Sequence, residues 1–209
     1  LHRLIVTSSV YRQASTYAGT NSQIDSGNAY LWRMNRRRLT AEEVRDSVLF
    51  VSGKLDRTMY GPGFRLFVLE HPQHSPHYEY HKHDPDDPAS HRRSVYRFIG
   101  RSQPDPFMMT LDCADSSQSV PRRDETVTAL QALSLLNNKF MLRMAEHFSD
   151  RLHVESNTST EHIRRAFQLA TGRDPTVEQT VALKEYASEF GTANLCRLIF
   201  NLNEFVFVD

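Results

Sequence analysis

The sequence predicts a mainly α-helical fold: a helical bundle around one central helix, with a small antiparallel β-hairpin. Three observations predict it. Four T-x-x-E/Q boxes (Thr40 with Glu43, Thr128 with Gln131, Thr158 with Glu161, Thr176 with Gln179) each head a stretch with apolar residues at three- and four-residue steps. In such a box the two side chains satisfy backbone N–H groups that a helix start leaves without partners. The stretch Arg122 to Leu152 holds the longest helical pattern, with Leu130, Leu133, Leu136, Phe140, Met144, Phe148 and Leu152 on one face and Leu135 and Leu142 on a second. So wide an apolar stripe needs neighbours on more than one side, which makes this the central helix. Finally, Phe64 to Leu69 and Ser94 to Ile99 are dense in aromatic and branched residues and read as two strands.

Taken in order, Leu1, Leu4, Ile5 and Val10 suggest a short helix ending near Ser8, and its missing start implies a fragment of a longer protein, truncated at the N-terminus. Ser15 to Asn28 is rich in Ser, Thr, Asn and Gly and reads as a loop. Tyr30, Leu31 and Met34 begin a short helix ending in Arg36–Arg38, and the helix after Thr40 stops at Gly53. The two strands are expected to pair antiparallel, with the His- and Pro-rich excursion 70–91 as their connection. PFMMTLDCADSS supplies a turn or two of helix and a loop. In the central stretch, Asn137 and Asn138 predict a kink or a break into two helices. Helices closed by Gly172 and Gly191 follow, then a last short helix over Leu195–Leu202 and an extended tail, FVFVD.

With 209 residues the chain is long enough for one good core. Twenty-five basic and twenty-five acidic side chains cancel, so no global field draws nucleic acid or an anionic membrane. No apolar run approaches the roughly 20 residues a membrane span needs. Cys113 and Cys196 are too few for a disulfide framework, and neither C-x-x-C nor C-x-x-C-H spacing is present, so no haem or other cofactor is expected in this chain. A G-x-S-x-G elbow and a Gly-rich phosphate loop are also absent.

Two constellations bear on function. His71, His74, His77, His81, His83 and His91 cluster beside Asp84, Asp86 and Asp87. Imidazole and carboxylate suit zinc, but a proline-broken segment does not hold ligands on one face, so no metal is assigned; His77, His81 and His83 are the candidates should one bind. Arg36, Arg38, Arg92, Arg93, Arg122 and Arg123 stand in RR blocks. Guanidinium forks recognise carboxylate, sulfate and phosphate, so these six are the candidate ligand-binding residues, with inter-helix ion pairing as the plain alternative. Trp32, Tyr11, Tyr17 and Tyr30 lie near Arg33 and Arg36 and could stack on sugar, or equally on another domain.

Seven blocks occur in order across nearly the whole chain: LHRLIVTSSVYRQAS, LWRMNRRRLTAEEVRDSVLFVSGKLD, GPGF, RRSVYRFI, RRDETVTALQALSLLNNKF, RRAFQLATGRDPTVEQ and LCRLIFNLNEFVFVD. Together they resemble domain-of-unknown-function family 1553, the planctomycete-surface C-terminal domain. The family commonly has proline where this chain has Ala129, at the first helical position after Thr128. The resemblance implies a single C-terminal domain over 1–209 of an exported multidomain protein, periplasmic or extracellular, beside a second uncharacterised domain and often a c-type cytochrome domain. Its partners would be those upstream domains and, through the arginine faces, polysaccharide. It implies no catalytic residues. Two functions follow as expectations: a non-catalytic binding or assembly module, or a hydrolase acting on an anionic or glycan substrate together with the upstream domain.

Overall fold

The computed structural model describes residues 1–17, 19–71, 75–119 and 121–208. All four predicted capping boxes are present with both reciprocal hydrogen bonds. They open α3 (Ala41–Val51), α5 (Ala129–Asn137), α7 (Ser159–Thr171) and α8 (Val177–Phe190). Before α3 come α1 (His2–Thr7), α2 (Gly19–Ile24) and β1 (Arg37–Arg38). Between α3 and α5 lie β2 (Val68–Glu70), β3 (His77–Glu79), the 3-10 turns Tyr80–Lys82, Pro88–His91 and Ser94–Tyr96, and α4 (Pro106–Thr110). α6 (Lys139–Glu155) sits in the middle, and α9 (Thr192–Ile199), α10 (Asn203–Val206) and β4 (Phe207–Val208) end the chain. The chain is mainly α-helical with small antiparallel pairs, as the pattern predicts.

The central stretch does break at Asn138. Its backbone N–H donates to Ser134 O and closes α5, while its Oδ1 accepts from Phe140 N–H and opens α6. The second half carries the core. Met141, Met144, Phe148 and Leu152 are fully buried, and α6 packs most heavily against α9 while also touching α3, α5 and α7. Phe148 stacks on Phe200 with ring centroids 5.6 Å apart. The first half departs from expectation: Leu130 and Leu133 are 64% and 54% exposed, and α5 turns Gln131 and Leu135 inward instead. The chain redirects at Asn138, so the apolar line drawn from Leu130 to Leu152 does not stay on one surface.

The hairpin forms with a different partner from the one expected. β2 pairs antiparallel with β3, Val68 opposite Glu79 and Glu70 opposite His77, so the excursion itself supplies the second strand. Ser94–Tyr96 is a 3-10 turn, and Phe64 meets Arg97 only as an isolated parallel bridge. Aromatic packing decides this pairing: Phe67 stacks on Tyr78 at 4.4 Å and meets Tyr80 and Phe98 edge-on. Gly100 permits it, because a Cβ there would stand 2.7 Å from the Tyr78 ring.

The two ends of the chain also differ from expectation. α2 occupies part of the predicted loop 15–28, and no helix forms over Tyr30–Met34, where Leu31 takes a positive φ of 53°. Phe205 and Val206 lie in a helical turn rather than an extended tail, and Phe207–Val208 pairs with Arg38–Arg37. No helix among the described residues is long and apolar enough to cross a membrane.

Candidate functional site

Arg45 organises the polar side of the core. Ala41, Arg45 and Leu49 fall on one line of α3, so the guanidinium is carried inward and is only 2% exposed. Its Nη1 donates to Arg92 O at 3.0 Å and Ser94 Oγ at 3.3 Å, and its Nη2 donates to Ser90 O. The rings of Phe64 and Phe140 flank it, with centroids 5.0 and 5.5 Å from Cζ. Burial pushes its pKa down to about 10, so the group stays charged at neutral pH. Next to it, Asp46 accepts from both the Ser94 N–H and the Ser94 hydroxyl at 2.7 Å. Two consecutive α3 residues therefore pin the segment 90–94.

Beside Arg45 opens a cavity of about 320 Å³. Leu66, Pro85, Phe107 and Phe140 give it apolar walls, and Tyr80, His83, Asp105, Asn138 and Lys139 bring polar groups. Asp105 caps α4, its Oδ1 accepting from the N–H groups of Phe107 and Met108. Burial raises its carboxyl above the usual carboxylate value despite the positive charge of Arg97. Tyr80 donates its hydroxyl to Gln103 O at 2.7 Å, and burial, then the neighbouring Asp105, pushes it up to about 12. His83 is held by Lys139 Nζ, which donates to its carbonyl at 3.0 Å. Burial pushes the His83 imidazole down, and its Nε2 is buried with no hydrogen-bond partner. An imidazole lowered by burial, with an unpartnered nitrogen, and a carboxyl raised by burial line the same cavity, an arrangement that binds polar ligands or moves protons.

The wall made by 80–91 is strapped to α6 through Asp86. Its Oδ1 lies 2.6 Å from His147 Nε2, and its Oδ2 accepts from Arg143 Nε at 2.6 Å. The His147 contact, then Arg143 against the cost of burial, holds the Asp86 carboxyl below its usual value. A depressed carboxylate contributes stability above its unfolded pKa, and that contribution is lost as pH falls through the folded value. The amide protection factors of residues 80–91, corrected for the intrinsic pH dependence of exchange, are therefore expected to fall below about pH 4. Asp86→Asn should show lower protection at neutral pH and a smaller loss of it in acid; an unchanged profile in the variant would mean the strap is held elsewhere.

The six predicted arginines do not converge on this cavity. Arg38 is spent on Asp112 Oδ2 at 2.8 Å and on the carbonyls of Leu111 and Thr126. Arg92 donates to the carbonyls of Pro62, Thr58 and Tyr60 and lies over the Tyr96 ring. Arg93 and Arg123 share a shallow groove along α3, where Arg123 pairs with Glu42 at 2.7 Å and Arg93 reaches Met59 Sδ. Arg36 lines an open groove of about 910 Å³ at the α7–α10 end, in which Arg173 and Glu204 pair. Arg122 is exposed. Of the histidine candidates, His81 and His83 line the cavity, while His77 stands outside it; both His77 and His81 face Glu79. His74 lies outside the described residues, and no group of three or more His, Cys, Asp or Glu able to hold a metal occurs among the described ones. Both cysteines are free and buried.

Sequence reasoning missed Arg45, Tyr80, Asp105 and Lys139. Two signals were present: an arginine between Ala41 and Leu49 on an apolar helical line, and Asp105-Pro106, a cap followed by proline at the first helical position.

A family model, PSD1, described as a protein of unknown function (DUF1553), matches residues 1–187. The chain belongs to the DUF1553 family. Neither a curated protein nor a solved structure matches it. The match to DUF1553 takes in every residue of the cavity and ends within α8, so α9, the main partner of α6, lies beyond it.

Proposed function

We propose that this DUF1553 chain is a non-catalytic binding module that holds a small, hydroxyl-rich ligand, a saccharide unit, in the cavity between α3, α4 and the α5–α6 junction. The observation that carries this reading is His83 Nε2, a buried nitrogen without a partner in the wall of a hollow that also presents three aromatic rings, Tyr80, Phe107 and Phe140. Such an atom costs free energy until a ligand or water satisfies it, whereas Phe107, Phe140 and Tyr80 suit the C–H face of a sugar ring. The large open groove is less suited, since Arg173 and Glu204 already satisfy each other there.

Binding should appear as a rise in thermal midpoint with neutral mono- and disaccharides, about 2.7 kcal/mol of stabilisation at a hundredfold excess over Kd. His83→Ala and Phe107→Ala should abolish that rise while remaining folded by circular dichroism. No rise with any sugar of the panel, or an equal rise in both variants, refutes the assignment.

A second reading has its own support. Asp105, raised by burial, and His83, lowered by it, would serve as proton donor and acceptor of a hydrolase acting on an anionic or glycan substrate with the upstream domain. Asp105→Asn separates the two: lost turnover of aryl glycosides with binding intact favours the hydrolase. Export to the periplasm or cell exterior, and contact with upstream domains of the same polypeptide, complete the proposal; their support is the seven-block resemblance.

A further inference from the structure

We propose that Tyr17 and the turn 28–36 form a second ligand site, separate from the cavity and suited to an acidic saccharide, a sugar chain bearing sulfate or carboxylate groups. The turn is held from inside. Asn28 is 3% exposed and takes a positive φ of 55°; its Nδ2 donates to Arg33 O and Asn35 Oδ1, and its Oδ1 accepts from Arg33 N–H. Asp25 accepts from the N–H groups of Ala29 and Tyr30, and its carbonyl accepts from Trp32 Nε1 at 2.9 Å. A buried amide and a locked indole thus fix the backbone that presents Arg33.

On that base stands an aromatic platform. Trp32 meets Tyr17 edge-on with centroids 6.2 Å apart, and the Arg33 guanidinium lies 5.4 Å from the indole centroid. Tyr17 is 71% exposed, so its ring offers a face to solvent while Trp32 supports it from the side. A hollow of about 470 Å³ opens here, lined by Ser15, Tyr17, Arg33, Asn35 and Arg36.

Arg33 differs from the arginines above that hold a carboxylate. Arg38, Arg123, Arg143 and Arg173 are matched by carboxylates. The Arg33 Nε is buried with no partner, and its Nη1 makes only a long 3.4 Å contact with Met34 O. A guanidinium fork left open beside an exposed phenol ring fits a ligand with an apolar face and an anionic substituent. A neutral sugar would leave the fork unmatched, and a free anion would not use the ring. A protein partner is the competing occupant, since Leu4, Ile5 and Val6 of α1 are exposed as well. The Ser15, Arg33 and Asn35 side chains around the Tyr17 ring favour the saccharide.

Trp32 is the sole tryptophan, so intrinsic fluorescence reads this site directly. Oligogalacturonate and sulfated dextran are expected to shift its emission saturably, while maltotetraose and inorganic sulfate leave it unchanged. Arg33→Gln and Tyr17→Ala should each weaken the response about tenfold, as loss of a charge-assisted or stacking contact does. The cavity variant His83→Ala should respond as the wild type does, which keeps this site and the cavity distinguishable. The proposal is overturned if no acidic saccharide shifts the emission, or if sulfate alone reproduces the shift. It is also overturned if Arg33→Gln binds unchanged, or if sedimentation shows Tyr17 and Arg33 buried in self-association.

Discussion

Arg45→Ala is expected to destabilise the protein by about 3–5 kcal/mol, because two buried carbonyl oxygens lose their donor and two rings lose the cation between them. The Ser90 and Arg92 carbonyls receive Arg45 donors, and at about 1–3 kcal/mol for each orphaned group they account for most of the effect. Ser94 keeps Asp46 as an acceptor and is less affected. Lysine does not rescue the site, since one ammonium cannot span acceptors that a planar fork reaches. Arg45→Met should fall between wild type and alanine, filling the space between Phe64 and Phe140 but donating nothing. Urea denaturation checks the series: the midpoint should fall with little change in slope. A loss under about 1 kcal/mol for Arg45→Ala would mean that the segment 90–94 is held without it.

The second large effect is expected at Phe148→Ala, again about 3–5 kcal/mol, from lost transfer free energy together with the cavity left behind. Phe148 is fully buried in α6, stacked on Phe200, and Phe200 in turn packs on Phe205. Its neighbours cannot collapse easily, because Met141, Met144 and Leu152 are anchored on the same helix and Ile199 on α9. Phe148→Leu should cost less than about 1.5 kcal/mol, being closer in volume. By contrast, Leu130→Ala and Leu133→Ala should stay within about 0.5 kcal/mol, as exposed positions do. Equal losses at Phe148 and Leu130 would place the core on the wrong side of α5 and α6.

That contrast shows where periodicity stops informing. Spacing identifies residues that share a face, but Leu130, Leu133 and Phe148 look alike until the break at Asn138 is known. The strands show the same limit. Phe64–Leu69 is rich in strand-forming residues, yet its partner is His77–Glu79, which carries no alternation; the Phe67–Tyr78 stack across 11 residues decides the pairing. The cavity was legible only in fragments, through His83 and the Asp105-Pro106 cap. Arg45 stands out in the sequence only by sharing a helical line with Ala41 and Leu49; its three acceptors arrive from a segment some 45 residues away.

What the sequence by itself determined is local. The helix starts at Thr40, Thr128, Thr158 and Thr176 and the left-handed stop at Gly172 depend on contacts spanning three or four residues, which the chain carries wherever it goes. Only the tertiary structure decided which leucines face water, which strand pairs with β2, and that Arg45, His83, Asp105 and Lys139 meet around one cavity. These depend on contacts between distant segments, whose free energies emerge only when burial, charge and hydrogen bonding are satisfied together.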